Sequence, residues 1–267
     1  MNDYRAHLSS DAANNVASWL TKPKYEVYKA ELERMIADEM WQELEDAFFK
    51  EIEFGTGGRR GIVGLGANRI NRVTIGESAQ ALCEYAATFD TNAEQKGVVI
   101  ACDTRLSSPE LSRYVACVCA ANGFKTYIFE SFRSTPELSF AVRELGCAAG
   151  VVITASHNAP MYNGFKAYWS DGAQLVPPHD KGVLDVADTI EHIRALDDYD
   201  AAVIEGRIIE IGDKIDEAYI NAVLNERMGT GTNLRIAYSP LHGAGQRNTL
   251  PVLQRAGFEV LTVPEQM

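Results

Sequence analysis

The sequence predicts an α/β fold, a mixed, mostly parallel sheet with helices on both faces, followed by the start of a second, similar α/β unit. Three observations carry that prediction. Gly97-Val98-Val99-Ile100-Ala101-Cys102 and Gly150-Val151-Val152-Ile153 are short apolar runs without alternation, as strands buried on both faces require. Ser107-Ser108-Pro109-Glu110 and Ser134-Thr135-Pro136-Glu137 each join a capping-box spacing to a proline in the first helical turn. A fresh strand–helix–strand pattern then opens at Leu234-Arg235-Ile236-Ala237-Tyr238.

In chain order, residues 1–50 read as peripheral helix. Tyr25, Tyr28, Leu32, Met35, Ile36, Met40, Leu44 and Phe48 recur at helical spacing between acidic residues, which is a docking stripe and carries no chemistry. The first capped helix runs through Val115 and Val118 and stops near Gly123; a strand follows over 125–130. The second capped helix ends near Gly146. Phe165, Ala167 and Trp169 alternate with Lys166, Tyr168 and Ser170, the pattern of a strand near a sheet edge with one drier face. A helix is expected over about 180–196, a solvated linker at Asp197-Asp198-Tyr199-Asp200, and a further helix over 216–228. A helix over about 244–256 and a strand over 258–263 complete the second pattern, which holds too few strands to be stable alone. The expected division is 1–204 for the first domain and 205–267 for a second domain that is cut short.

The bulk properties exclude several function classes. A formal net charge of −12 over 267 residues argues against nucleic acid or an acidic membrane as the main partner. The five cysteines are odd in number and lie mostly in apolar runs, so buried free thiols in a reducing compartment are expected. The polar start has no signal-peptide character, and no apolar run has the length of a membrane span. These readings together predict a cytoplasmic protein.

Two segments carry chemistry. Phe54-Gly55-Thr56-Gly57-Gly58-Arg59-Arg60-Gly61 combines glycines that free the backbone with arginines that supply forked donors to phosphate. It is neither a Walker A loop nor a dinucleotide fingerprint, because the required spacing is absent. The second segment runs from Val151-Val152-Ile153 through Thr154-Ala155-Ser156-His157-Asn158 to Tyr162-Asn163-Gly164-Phe165-Lys166. A buried strand delivers Ser156 to its carboxyl end, where ligands gather in open α/β sheets. A hydroxyl, an imidazole, an amide and an ammonium then stand together, a set suited to moving a phosphoryl group. A serine hydrolase is unsupported, since there is no Gly-x-Ser-x-Gly elbow. A purely structural loop remains open on spacing alone.

Thr154-Ala155-Ser156-His157-Asn158 with Tyr162-Asn163-Gly164-Phe165-Lys166 resembles the phosphoserine loop of the α-D-phosphohexomutases. Phe54-Gly55-Thr56 with Gly58 and Arg60 is similar to that family's amino-terminal glycine–arginine stretch, and Asp103-Thr104-Arg105 with Ser107 and Ser108 to its Asp-x-Arg segment. Tyr238-Ser239-Pro240-Leu241-His242-Gly243 resembles the opening of the second domain. The stretch from Asn163 to Trp169 with Gly172-Ala173-Gln174-Leu175 leans to the phosphoglucomutase and phosphopentomutase branch. Ala159 and Arg59 depart from the family pattern, and Arg59, where leucine is common, is expected to be solvated.

The resemblance implies a phosphomutase that interconverts hexose 1-phosphate and 6-phosphate, glucose first and pentose or mannose equivalents next, through phosphoSer156 and a hexose 1,6-bisphosphate. It implies Ser156, His157 and Lys166 as catalytic residues, with Lys166 favoured as general acid/base. Arg60, Arg105 and Asn158 are implied as phosphate-binding, and Mg²⁺ as held through the Ser156 phosphate. The expected partner is a small sugar phosphate, with no nucleic acid and no membrane; oligomeric state is open. The family's Asp-Gly-Asp-x-Asp-Arg metal loop does not occur in these residues, nor do its later sugar-specificity and phosphate loops. Two readings therefore accompany the enzyme: a catalytically incompetent phosphosugar-binding fragment, and an interaction protein that keeps the fold alone.

Overall fold

The structure, a computed structural model, describes residues 3–55, 57–230 and 233–267. Thr56 of the glycine-rich segment lies outside the described residues. Three helices come first, α1 (Ser10–Thr21), α2 (Glu26–Ala37) and α3 (Trp41–Phe48). They close on a core of their own in which Trp19 stacks on Tyr25 at 4.3 Å and meets Phe48 edge-on at 5.3 Å. Paired rings in such geometry contribute about 0.5–1.5 kcal/mol each beyond area burial. The apolar stripe read from the sequence is this docking surface.

The main sheet is built from β1 (Gly58–Ile62), α4 (Arg72–Phe89), α5 (Ala93–Lys96), β2 (Val98–Cys102), α6 (Ser108–Ala121), β3 (Thr126–Phe129), α7 (Thr135–Glu144), β4 (Ala149–Ile153) and β5 (Tyr162–Trp169). It continues through α8 (His179–Ala187), α9 (Tyr199–Ile204), β6 (Ile208–Ile211) and α10 (Asp213–Asn225). The strand order is β1-β5-β4-β2-β3-β6. The pairs β4·β2, β2·β3 and β3·β6 are parallel, while β1·β5 and β5·β4 are antiparallel. Both faces are covered: Val98, Ile100, Val151 and Ile153 pack under α4 and α6, and Val99, Ala101 and Val152 under α7. That two-sided burial is why these strands carry no polar alternation.

Several local expectations change. The helix expected over about 180–196 ends at Ala187. Beyond it, backbone groups bond to neighbours instead of to their own turn: Gln80 receives from Arg194 N (2.7 Å) and donates to His192 O (2.9 Å), and Lys24 donates to Ile190 O (2.9 Å). Asp197-Asp198-Tyr199-Asp200 is not a linker. Asp198 caps α9 by accepting from Ala201 N, and the Arg113 guanidinium lies over the Tyr199 ring at 5.1 Å. Ser107 does not close a capping box either; its hydroxyl accepts from Asn163 Nδ2 instead. Ser134 does cap its helix, accepting from Glu137 N. The helix expected over 216–228 runs over Asp213–Asn225, and the one over about 244–256 is a 3₁₀ turn followed by α11 (Thr249–Arg255).

The expected boundary at 204/205 falls between α9 and β6, and β6 is the outer strand of the main sheet beside β3. The last residues form a separate two-stranded parallel sheet, β7 (Arg235–Tyr238) with β8 (Glu259–Thr262), joined by α11. All five cysteines are buried and free. Among the described residues no helix is long and apolar enough to cross a membrane.

Candidate active site

The site forms where β2 and β4 end side by side. Cys102 pairs with Ile153, and Asp103 N donates to Ile153 O at 3.1 Å, so the two following loops leave the sheet together. Asp103 is their junction. Its Oδ1 accepts from Ser108 Oγ (2.6 Å) and Arg105 N (3.0 Å), and its Oδ2 from Thr154 Oγ1 (2.7 Å) and Arg105 Nε (3.1 Å). Thr154 Oγ1 in turn accepts from Ser156 N at 2.9 Å. The sheet end thereby fixes the backbone at Ser156 two residues away.

Ser156 is exposed and holds φ at 56°, a left-handed conformation that costs a residue with a Cβ roughly 1 kcal/mol or more. Lys166 Nζ donates to Ser156 Oγ at 2.7 Å. The antiparallel return of β5 makes this contact, since Gly164 O accepts from Thr154 N and Lys166 pairs with Val152. Gly164 has to be glycine: a Cβ there would lie 2.5 Å from Arg59 O and 2.9 Å from Thr154 O. Burial lowers the Lys166 pKa, the Arg60 charge lowers it further, and Asp103 opposes them. The Arg60 Nη1 group donates to Asn158 Oδ1 at 3.0 Å. His157 is exposed, and no described residue hydrogen-bonds its ring. A cleft of about 350 Å³ opens beside Arg60 and Lys166, lined also by Lys50, Asn68 and Gln174.

Arg105 differs from its expected part. Its guanidinium has five N–H groups, and all are engaged: Nε with Asp103, Nη1 with Ala159 O and Tyr162 O (both 2.8 Å), Nη2 with Ser156 O (3.0 Å) and Asn158 O (2.7 Å). No donor remains for a phosphate. Arg105 is the inner template around which the loop wraps. Replacing it with alanine is expected to speed amide exchange at 156–162 by on the order of 100-fold, because each lost bond to a charged group is worth about 1.5–3 kcal/mol. Exchange in β4 and β2 should stay slow.

Of the residues singled out in the sequence, the structure brings Lys166 to Ser156 and Arg60 to Asn158; the Asp103–Thr154 link was missed. The hydroxyl two residues before the serine was the available signal. Also missed was Asn163, fully buried, which ties the start of β5 to Ser107 Oγ (2.8 Å) and Ser108 Oγ (2.9 Å). Arg59 is not solvated; it is 8% exposed and bonds Glu77, because alternation along β1 turns it away from Arg60 into the interior. Thr104 Oγ1 donates to His242 O, so the loop after β7 rests against the Asp103–Arg105 turn.

The described residues do not by themselves fit a magnesium ion. No group of three or more His, Cys, Asp or Glu among them can hold a metal, and both Asp103 oxygens are occupied by internal donors.

The family model described as phosphoglucomutase/phosphomannomutase, alpha/beta/alpha domain I, matches residues 51–194. The chain is 34% identical to a protein of Schizosaccharomyces pombe named "Probable phosphoribomutase", over 94% of this chain and 44% of that protein. It is 35% identical to a Staphylococcus haemolyticus protein named phosphoglucomutase, over 83% of this chain and 40% of that one. A solved phosphoglucomutase/phosphomannomutase family protein from Burkholderia thailandensis superposes with a TM-score of 0.61 at 20% identity, over 79% of this chain and 43% of that one, a likeness of fold. The chain spans less than half the length of these relatives.

Proposed function

The chain belongs to the phosphoglucomutase/phosphomannomutase family, and on that premise we propose that it carries the phosphoryl-transfer serine of a phosphomutase. The observation that supports this most is the Lys166 ammonium 2.7 Å from Ser156 Oγ, at the mouth of a parallel sheet, with its pKa lowered by burial and by Arg60. In the first half-reaction the bond from Ser156 Oγ to phosphorus breaks and the phosphoryl group joins a free hydroxyl of the sugar phosphate. Lys166 gives its proton to the departing Oγ. His157, exposed on the same loop, takes the proton of the sugar hydroxyl. The resulting bisphosphate turns over, and Ser156 Oγ attacks its other phosphorus while Lys166, now neutral, takes the serine proton. The bond from that phosphorus to its sugar oxygen breaks, and His157 returns its proton to the departing oxygen. Arg60 faces the phosphate oxygens and Asn158 holds Arg60 in place.

The substrate pair proposed is hexose 1-phosphate and 6-phosphate, with glucose first. The name phosphoribomutase on one relative supports the pentose phosphates as the next pair to try. Magnesium, when bound, supplies charge neutralisation at the phosphoryl oxygens. Its proposed contact here is the Ser156 phosphate alone, since the described residues offer no further cage.

The direct test is intact-mass and peptide analysis after incubation with glucose 1,6-bisphosphate. One phosphate is expected on the peptide that contains Ser156; phosphate on another residue, or on none, overturns the reading. The rate of that phosphorylation should rise with pH as Lys166 loses its proton. Its midpoint should lie below the ordinary lysine value, since burial and Arg60 both favour the neutral amine. Lys166→Arg stays protonated and should flatten this pH profile, slowing phosphorylation by about 10²–10⁴-fold. An unchanged profile in the variant would remove Lys166 from proton transfer.

A further inference from the structure

Arg59 stands next to Arg60 in β1 but faces the opposite way, into a cavity of about 300 Å³ between β1, α4 and the amino-terminal helices. There Lys24 and Arg59 share a single carboxylate. Lys24 Nζ lies 2.8 Å from Glu77 Oε1, and Arg59 Nη1 lies 2.9 Å from Glu77 Oε2. These three side chains are each only 9–11% exposed, so one positive charge is left in excess in a largely dry place. Burying such an excess is costly unless something answers it.

The donor count points the same way. Arg59 Nη1 uses both of its protons, on Glu77 and on Thr74 O at 2.9 Å. Arg59 Nε is buried and has no hydrogen-bond partner, and no described residue accepts from Nη2. A guanidinium edge two parallel N–H directions wide, its Nε buried, is thus unfilled, and that edge is the natural partner of an oxyanion. Lys22 lines the same cavity but is exposed, so water screens its charge as well. Glu51 and Asp188 also line it, but both are exposed, where water screens their repulsion.

We propose that this cavity binds a phosphate-sized oxyanion on the back of the catalytic strand, held by the Nε and Nη2 edge of Arg59 together with Lys24. The Arg59 side chain leaves β1 on the face opposite Arg60, so the site lies behind the strand from the phosphoryl-transfer loop, although Ile52 and Arg59 line both this cavity and the cleft beside Lys166. The site does not depend on Ser156 chemistry. Bound there, an anion would stiffen the strand that carries Arg60 and pairs Gly58 with Lys166.

The test follows the Arg59 Hε–Nε resonance of the whole chain during titration with inorganic phosphate at constant ionic strength, the signal being assigned by its loss in Arg59→Lys. A saturable shift is expected in the wild type and equally in a Ser156→Ala, Arg60→Ala double variant. Lys24→Met, which leaves Arg59 and Glu77 as a neutral pair, should weaken the fitted affinity by at least about 10-fold. Absence of a saturable shift in both wild type and double variant overturns the proposal. So does a shift that vanishes in the double variant, because the anion would then sit at the catalytic loop. Phosphorylation of Ser156 by the bisphosphate is measured separately, so the two readings fail independently.

Discussion

Replacing Ser156 with alanine is expected to lower phosphomutase turnover by at least about 10⁴-fold and to remove the phosphoenzyme from the mass spectrum. The size follows from the role. The serine oxygen is the covalent carrier, and among the described residues no other hydroxyl hydrogen-bonds Lys166 Nζ. The variant should nevertheless fold. Arg105 binds the carbonyl of residue 156 and not its side chain, and Thr154 Oγ1 receives its amide. The loop frame therefore survives the substitution, and stability should move by no more than about 0.5 kcal/mol, as for an exposed side chain. Turnover retained near the wild-type rate in Ser156→Ala, with the fold intact by circular dichroism, would end the assignment.

The second large effect is on stability and concerns Arg133, which is 1% exposed. Its guanidinium pairs with Asp216 through Nε at 2.7 Å and Nη2 at 2.8 Å, and Nη1 donates to Ser131 Oγ at 2.7 Å. Glu137, fully buried, stands beside this pair and accepts from Asn248 Nδ2 at 3.0 Å. The network joins the turn after β3, the start of α7, α10 and the residue that precedes α11. Arg133→Met would leave two buried carboxylates with no cation between them, a loss of about 3–5 kcal/mol. For a chain of this size that corresponds to a melting temperature lower by about 10 °C at neutral pH.

The pH dependence has a definite sign. Burial and the neighbouring Asp216 already hold the Glu137 carboxyl high, at about 7. Without Arg133 the Glu137 carboxyl should titrate higher still. A carboxyl whose folded pKa exceeds its unfolded value costs the fold stability as pH rises from the unfolded value up to the folded one, and costs nothing below the unfolded one. Arg133→Met should accordingly recover much of its loss between pH 7 and pH 5. Equal losses at both pH values would show that packing, and not buried charge, sets the effect.

The sequence alone determined the central strands, because two-sided burial selects uninterrupted runs such as 98–102 and 150–153 whatever their neighbours are, but not the outer strands at 58–62 and 208–211. It also set Ser156 and Lys166 on one loop and the strand that returns from it, since both belong to one segment. Only the tertiary structure decided where β6 goes, how far α8 extends, and what Arg59 and Arg105 do. Each of those depends on partners distant in the chain: Gln80 bonding 192 and 194, Glu77 drawing Arg59 inward, four loop carbonyls surrounding Arg105. A long cationic side chain reads the same in a sequence whether it faces water, a phosphate or a carbonyl. The choice is made by which acceptors the fold brings within about 3 Å.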